Sequence, residues 1–172
     1  MIKSFNIGNK PLTLSATGGT LCIYKQQFGT EYYNDLKDES SVNTLKTGFQ
    51  IIWSMAKTAD SKIPDPDAWL SSFKEFPLVE LLPDALSLLG KSFGEIKKDK
   101  NTDESAKPLT SENLVACCLS CGLSMDDIYK MSIGFLLDTI SAYIDIKTGK
   151  TAKDEAAKPK VRKATQIDFD LF

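Results

Sequence analysis

A chain of 172 residues, 42% hydrophobic and 26% charged, can bury one ordinary core, and its formal charge of −2 creates no global field toward nucleic acid or a membrane surface. Histidine is absent, which removes the commonest general base, the commonest metal ligand and the side chain that normally titrates near neutrality. Arg162 stands alone against twenty lysines, so the rigid fork that grips phosphates and carboxylates is nearly missing as well.

The opening residues Met1, Ile2, Lys3 and Ser4 lack the apolar run of a signal peptide. No stretch approaches the roughly 20 apolar residues that cross a bilayer. Cys22, Cys117, Cys118 and Cys121 show no framework spacing, so reduced thiols in a cytoplasm are expected.

In chain order, Ile2 to Ile7 alternates, with Lys3, Phe5 and Ile7 on one face, and Gly8-Asn9 supplies a turn into a returning strand through Leu12 and Leu14. Two strands alone are marginal in water, so this hairpin has to lean on a helix or pair with another chain. Thr17, Gly18 and Gly19 end the strand and open a helix, with Leu21, Tyr24 and Phe28 along one stripe and Gly29 as its stop. A short helical stretch follows over Glu31 to Lys37. Ser41 caps a longer helix to Ala59, striped by Val42, Leu45, Phe49, Ile52 and Ala56 and widened by Trp53 and Met55. Asp65 and Pro66 form a cap and first turn for a helix carrying Trp69, Leu70 and Phe73. Pro77 opens an apolar run from Leu78 to Phe93, which Pro83 is expected to kink or divide because it has no amide hydrogen.

Residues 97–108 carry no large apolar group and read as a solvated loop. Thr110 caps the next helix, with Leu114, Val115, Cys118 and Leu119 expected to face inward and Gly122 to end it. Ser124 and Asp127 have the spacing of a capping box for a short helix. The last helix follows Met131, with Ile133, Leu136, Leu137, Ile140 and Ile144 on its apolar side. The expected fold is mainly α, an N-terminal β-hairpin followed by a helical bundle and a flexible basic tail. The expected organisation is 1–96 for hairpin and helices, 97–108 for the loop, 109–146 for a C-terminal helical cluster packed on the first part, and 147–172 for the tail.

Candidate chemistry is thin. Cys118-x-x-Cys121 beside Cys117 has the look of a metal half-site or a redox pair, but a zinc site wants four ligands and only Cys22, on another helix, remains. A redox pair usually opens a helix, whereas this one closes it, so small buried side chains are the expected role. Asp126, Asp127, Asp65 and Asp67 lie at helix N-termini, where the dipole favours them; the remaining pair, Asp138 and Asp145, shows no catalytic pattern. Gly18-Gly19-Thr20 lacks the lysine and outer glycine of a phosphate-binding loop, and a wide turn is the expected reading. A helix-turn-helix over 109–140 would offer Ile133 to Asp138 as its reading helix, which is apolar and acidic where bases demand amide and basic side chains. The inventory therefore predicts a non-enzyme with no cofactor and no metal. Residues 146–163 hold seven basic and two acidic side chains, a local +5 that leaves −7 on the rest of the chain. A small DNA-binding regulator using this tail is the alternative class, although nucleic acid is not the expected partner.

Four stretches resemble one family. FNIGNKPLTLSATGGTLCIYKQQFG, WSMAKTADSKIPDPDAWLSSF, LTSENLVACCLSCGLSMDDIYKMSIGFLLDTISAY and RKATQIDFDLF occur in the order and spacing of the tail assembly chaperones of long-tailed phages and prophages of Gram-positive bacteria. The resemblance implies a non-catalytic morphogenesis factor of the host bacterial cytoplasm, not retained in the mature virion. Its implied partners are the tape measure protein, the tail-tube protein and further copies of itself, with no membrane. Large rigid groups dominate polypeptide contacts, so Trp53, Trp69, Phe73 and Phe76 are candidate contact residues, with core packing as their other reading. In the tail, Lys160, Arg162, Lys163, Phe169 and Phe172 complete the candidate set.

Overall fold

The computed structural model describes residues 1–36, 41–94 and 110–149, with the backbone alone for 41–43. The chain is mostly helical behind an N-terminal antiparallel hairpin. It divides into two compact units, Met1–Ile140 and Ser141–Phe172.

The hairpin joins β1 (Ile2–Ile7) to β2 (Lys10–Ser15). Gly8 takes φ +58°, the left-handed conformation that a two-residue hairpin turn requires. The register sets Phe5 opposite Leu12 and Lys3 opposite Leu14, so Phe5, Leu12 and Leu14 share the face turned to the core. The opposite face is polar and carries a Ser4–Thr13 hydroxyl pair at 3.1 Å.

Helix α1 (Gly18–Phe28) follows directly, and Gly29 ends it at φ +74°. Its first turn is buried against a later helix, α7 (Met125–Lys130). A Cβ on Gly18 would meet the Ile128 carbonyl oxygen at 2.8 Å, and one on Gly19 would meet the Tyr129 ring at 2.7 Å. The glycines are therefore there for close helix packing, which replaces the wide turn expected from sequence. The Gly18 amide donates to the Met131 carbonyl at 3.1 Å, so it is already used within the protein.

The short α2 (Tyr32–Asp35) leads to α3 (Ser41–Ala59), the central helix, whose Ile51, Ile52, Met55 and Ala56 are buried beneath β2 and α1. The expected cap at Ser41 and the side chain of Val42 lie outside the described side chains. Helix α4 (Pro66–Ser71) begins as predicted: Asp65 accepts from the Ala68 amide at 3.0 Å and Pro66 takes the first turn. Helix α5 (Leu78–Ser92) runs through Pro83 without division. Pro83 and Val79 lie on its exposed face, where water can serve the carbonyl that loses its amide partner.

Helices α6 (Ser111–Ser120), α7 and α8 (Ile133–Thr148) follow. Thr110 accepts from the Asn113 amide at 3.2 Å, and Ser124 and Asp127 cap α7 reciprocally. Within the first unit Leu114, Cys118, Ile128, Ile133 and Leu136 join the same core as β2 and α3. In the second, Lys147 lies over the Tyr143 ring at 5.5 Å. Three positions expected on apolar faces are exposed, Leu45, Leu119 and Ile144, and so is Leu70. Among the described residues no helix is long and apolar enough to cross a membrane. The loop at 97–108 and most of the tail from 147 onward lie outside the described residues.

Candidate functional site

Helices α1, α6 and α7 form three walls of an open groove of about 510 Å³. Each wall contributes residues one turn apart. Cys22 and Gln26 come from α1, Val115 and Leu119 from α6, Met125 and Tyr129 from α7. Side chains four apart lie on the same helical face, so each of three short sequences gives one stripe of the groove. The floor is apolar and the rim carries Lys25 and Glu112, whose charged atoms are 3.7 Å apart. Leu119 keeps 48% of its surface exposed and Met125 44%, although both are large and apolar. Such a trough suits an amphipathic segment of another polypeptide, with methionine and leucine adapting to its side chains.

The walls are held from behind. Glu31, at the start of α2, is buried and accepts from the Ser111 amide at 3.0 Å and the Ser111 hydroxyl at 2.7 Å. Its carboxylate thus caps α6 from a distant part of the chain, where the helix dipole favours negative charge. Lys25 lies 3.7 Å away from it. The hydroxyl–carboxylate contact is explained by this capping and implies no nucleophile. On α7, the Ser124 hydroxyl and amide hold the Asp127 carboxyl below its ordinary value.

Cys22 lines this groove, and all four cysteines are free thiols. The fold brings Cys22 near Cys118, which their separate helices did not suggest. Burial, ahead of the neighbouring sulfurs, raises the Cys118 thiol, and burial likewise raises Cys22. Raised thiols are poorly ionised at neutral pH and so are weak nucleophiles. Among the described residues no group of three or more Cys, Asp or Glu side chains is placed to hold a metal.

The aromatic residues singled out by sequence lie elsewhere. Trp53 is 2% exposed, and its indole N–H donates to the Pro64 carbonyl at 3.0 Å. Trp69 is 5% exposed and forms a cluster with Phe49, Phe73 and Phe76, its ring 5.2 Å from Phe73 and 5.3 Å from Phe76. Phe73 and Phe76 are half-buried. The structure therefore brings Trp69, Phe73 and Phe76 together, while Trp53 packs against Phe28. Lys160, Arg162, Lys163, Phe169 and Phe172 lie outside the described residues.

A second, polar recess of about 320 Å³ is lined by Thr30, Asp35, Lys46 and Gln50. The buried Tyr24 hydroxyl donates to Asp35 Oδ2 at 2.7 Å and lies 3.0 Å from Gln50 Oε1. Burial, then the Asp35 bond, raises the Tyr24 phenol well above its usual range. This network satisfies a buried hydroxyl and ties α1 to α2 and α3.

Sequence reading missed the groove because it assigned Leu119 to the core with Leu114 and Cys118; Val115 does pack against the core while also lining the groove. The available signal was that two adjacent apolar pairs, Leu114-Val115 and Cys118-Leu119, make α6 apolar on two faces, and one core can cover only one of them. Comparison with protein-family models, with curated proteins and with solved structures finds no match. The chemistry of the groove is thus the guide to function.

Proposed function

We propose that this protein is a tail assembly chaperone that holds apolar helical segments of a tape measure protein and recruits tail-tube subunits. It would act by binding and not by catalysis, in the host cytoplasm, and leave before the virion is complete. One observation carries the reading: an open apolar groove with exposed Leu119 and Met125, walled by three helices. The order of the four sequence stretches that resemble this family supports it, as does an inventory without histidine.

Holding a long helical chain before assembly requires many modest contacts that can be released, and a shallow groove with a methionine wall provides them. Co-expression of the full chain with a tape measure protein is the test. The expected result is a soluble complex that is lost when Leu119→Asp and Met125→Asp are combined. Both positions are exposed, so folding should change by no more than about 0.5 kcal/mol for each. A tape measure protein that stays soluble equally well without the chaperone, or with the double variant, would remove the proposal.

The basic stretch at 146–163 favours one other reading, a DNA-binding regulator. Gel shifts with a steep salt dependence, abolished by deleting 146–172, would select it.

A further inference from the structure

The hairpin has two long edges, and the fold treats them differently. The Met1 and Ala16 backbones exchange both hydrogen bonds, at 2.9 and 3.3 Å, which makes them a hydrogen-bonded pair of the ladder. Antiparallel pairs alternate, so Lys3–Leu14, Phe5–Leu12 and Ile7–Lys10 are the other bonded pairs. The amides and carbonyls of Ile2, Ser4 and Asn6 on β1, and of Pro11, Thr13 and Ser15 on β2, therefore point away from the ladder.

The β2 edge is blunted. Pro11 has no amide to offer at its outward position, and the Ser15 carbonyl accepts the Thr20 hydroxyl at 3.0 Å. The β1 edge carries no such device. Among the described residues no protein group bonds the outward backbone of Ile2, Ser4 or Asn6, and Ile2 is 71% exposed. An open edge of this kind is a template for another strand.

We infer that β1 pairs antiparallel with β1 of a second copy across a two-fold axis at Ser4, giving a continuous four-stranded sheet through two molecules. The edge is self-complementary about that residue. Ile2 falls opposite Asn6 of the second copy, Ser4 opposite its own equivalent, and Asn6 opposite Ile2. Three pairs with two bonds each give six main-chain hydrogen bonds, all from groups that are outward-facing here. Side chains agree with this register. Lys3 falls opposite Phe5 of the second copy, and its charge is already matched by Asp84 at 2.7 Å and lies 5.1 Å over its own Phe5 ring. No like charges face one another directly across the axis. A single strand pair buries far less than the roughly 1,600 Å² of a standard stable interface, so the dimer should be concentration-dependent. This surface is separate from the groove, and the inference stands whatever the groove binds.

Amide hydrogen exchange of the full chain over a range of concentrations, with sedimentation in parallel, tests it. The expected result is self-association in which the Ile2, Ser4 and Asn6 amides gain protection as the dimer fills. Ser4→Pro removes the central outward donor and leaves the inward bonds of Lys3 and Phe5 in place. It should weaken dimerisation by at least about tenfold. A protein that stays monomeric at every concentration overturns the inference, as does a dimer whose three amides remain unprotected. Protection at monomeric mass would assign the edge to another segment of the same chain and also overturn it. If Ser4→Pro does not fold, exchange in the unaltered chain decides alone.

Discussion

The two flanks of the first unit both carry large apolar side chains and meet opposite fates. On the flank of α3 and α4, Trp69, Phe49, Phe73 and Phe76 close on one another ring to ring, and Trp53 is sealed with its indole N–H satisfied by Pro64. On the flank of α1, α6 and α7, Leu119, Met125 and Val115 border an open groove. Residue type does not separate the two, since the larger and more adhesive aromatics are on the closed side. The difference is a covering element. The chain returns through the Pro64–Pro77 segment to cover α3, whereas among the described residues nothing returns over α6 and α7. Large apolar groups are thus poor markers of a binding face unless it is known what lies above them.

Substitutions at matched positions would break this contrast most directly. Trp69→Ala should cost about 3–5 kcal/mol of folding stability, as deletion of a buried aromatic does, while Leu119→Ser should leave the urea midpoint nearly unchanged. Comparable losses at both positions would mean that the groove is closed in solution.

A smaller effect tests how the open flank keeps its shape. Gly19→Ala places a methyl group against the Tyr129 ring, and Tyr129 lines the groove. The expected cost is about 1–3 kcal/mol, with a displaced Tyr129 visible as a shift of its ring resonances and reduced binding of any groove ligand. Unchanged stability and resonances would show that α1 and α7 are less tightly joined than the structure indicates.

The mildest perturbation is acid. The Asp127 carboxyl is held below its ordinary value of 3.8 by Ser124, so its contribution to stability is present above that value. Protonation favours the unfolded chain, and the contribution is lost as pH falls through the lowered value. Amide exchange in α7 should accelerate there, and Ser124→Ala, which removes the hydroxyl bond and keeps the amide bond, should reduce the pH dependence. Helix α3 has no acidic residue in its first turn, and exchange in that helix should be unaffected over the same range.

Much of the fold was legible in the residues because caps and turns are local. Gly8-Asn9, Gly29, Asp65-Pro66, Thr110 and the Ser124–Asp127 box each mark an element boundary through backbone geometry or a side-chain bond within three residues. The central helix was equally readable from its stripe. Pro83 does not divide its helix because the penalty for proline inside a helix depends on whether water can reach the orphaned carbonyl, and exposure is a tertiary property. Gly18 and Gly19 misled for a related reason: a glycine demanded by a neighbouring helix is indistinguishable in sequence from one demanded by a turn.

By itself the sequence determined a hairpin followed by helices, an inventory without imidazole, and the places where most helices start and stop. These follow from contacts between residues a few positions apart. Only the tertiary structure decided that the tryptophans are sealed, that Glu31 caps a helix eighty residues away, and that Val115, Leu119, Met125 and Tyr129 meet in one groove. Which of two apolar helix faces stays uncovered depends on the path of the whole chain, and no local spacing encodes it.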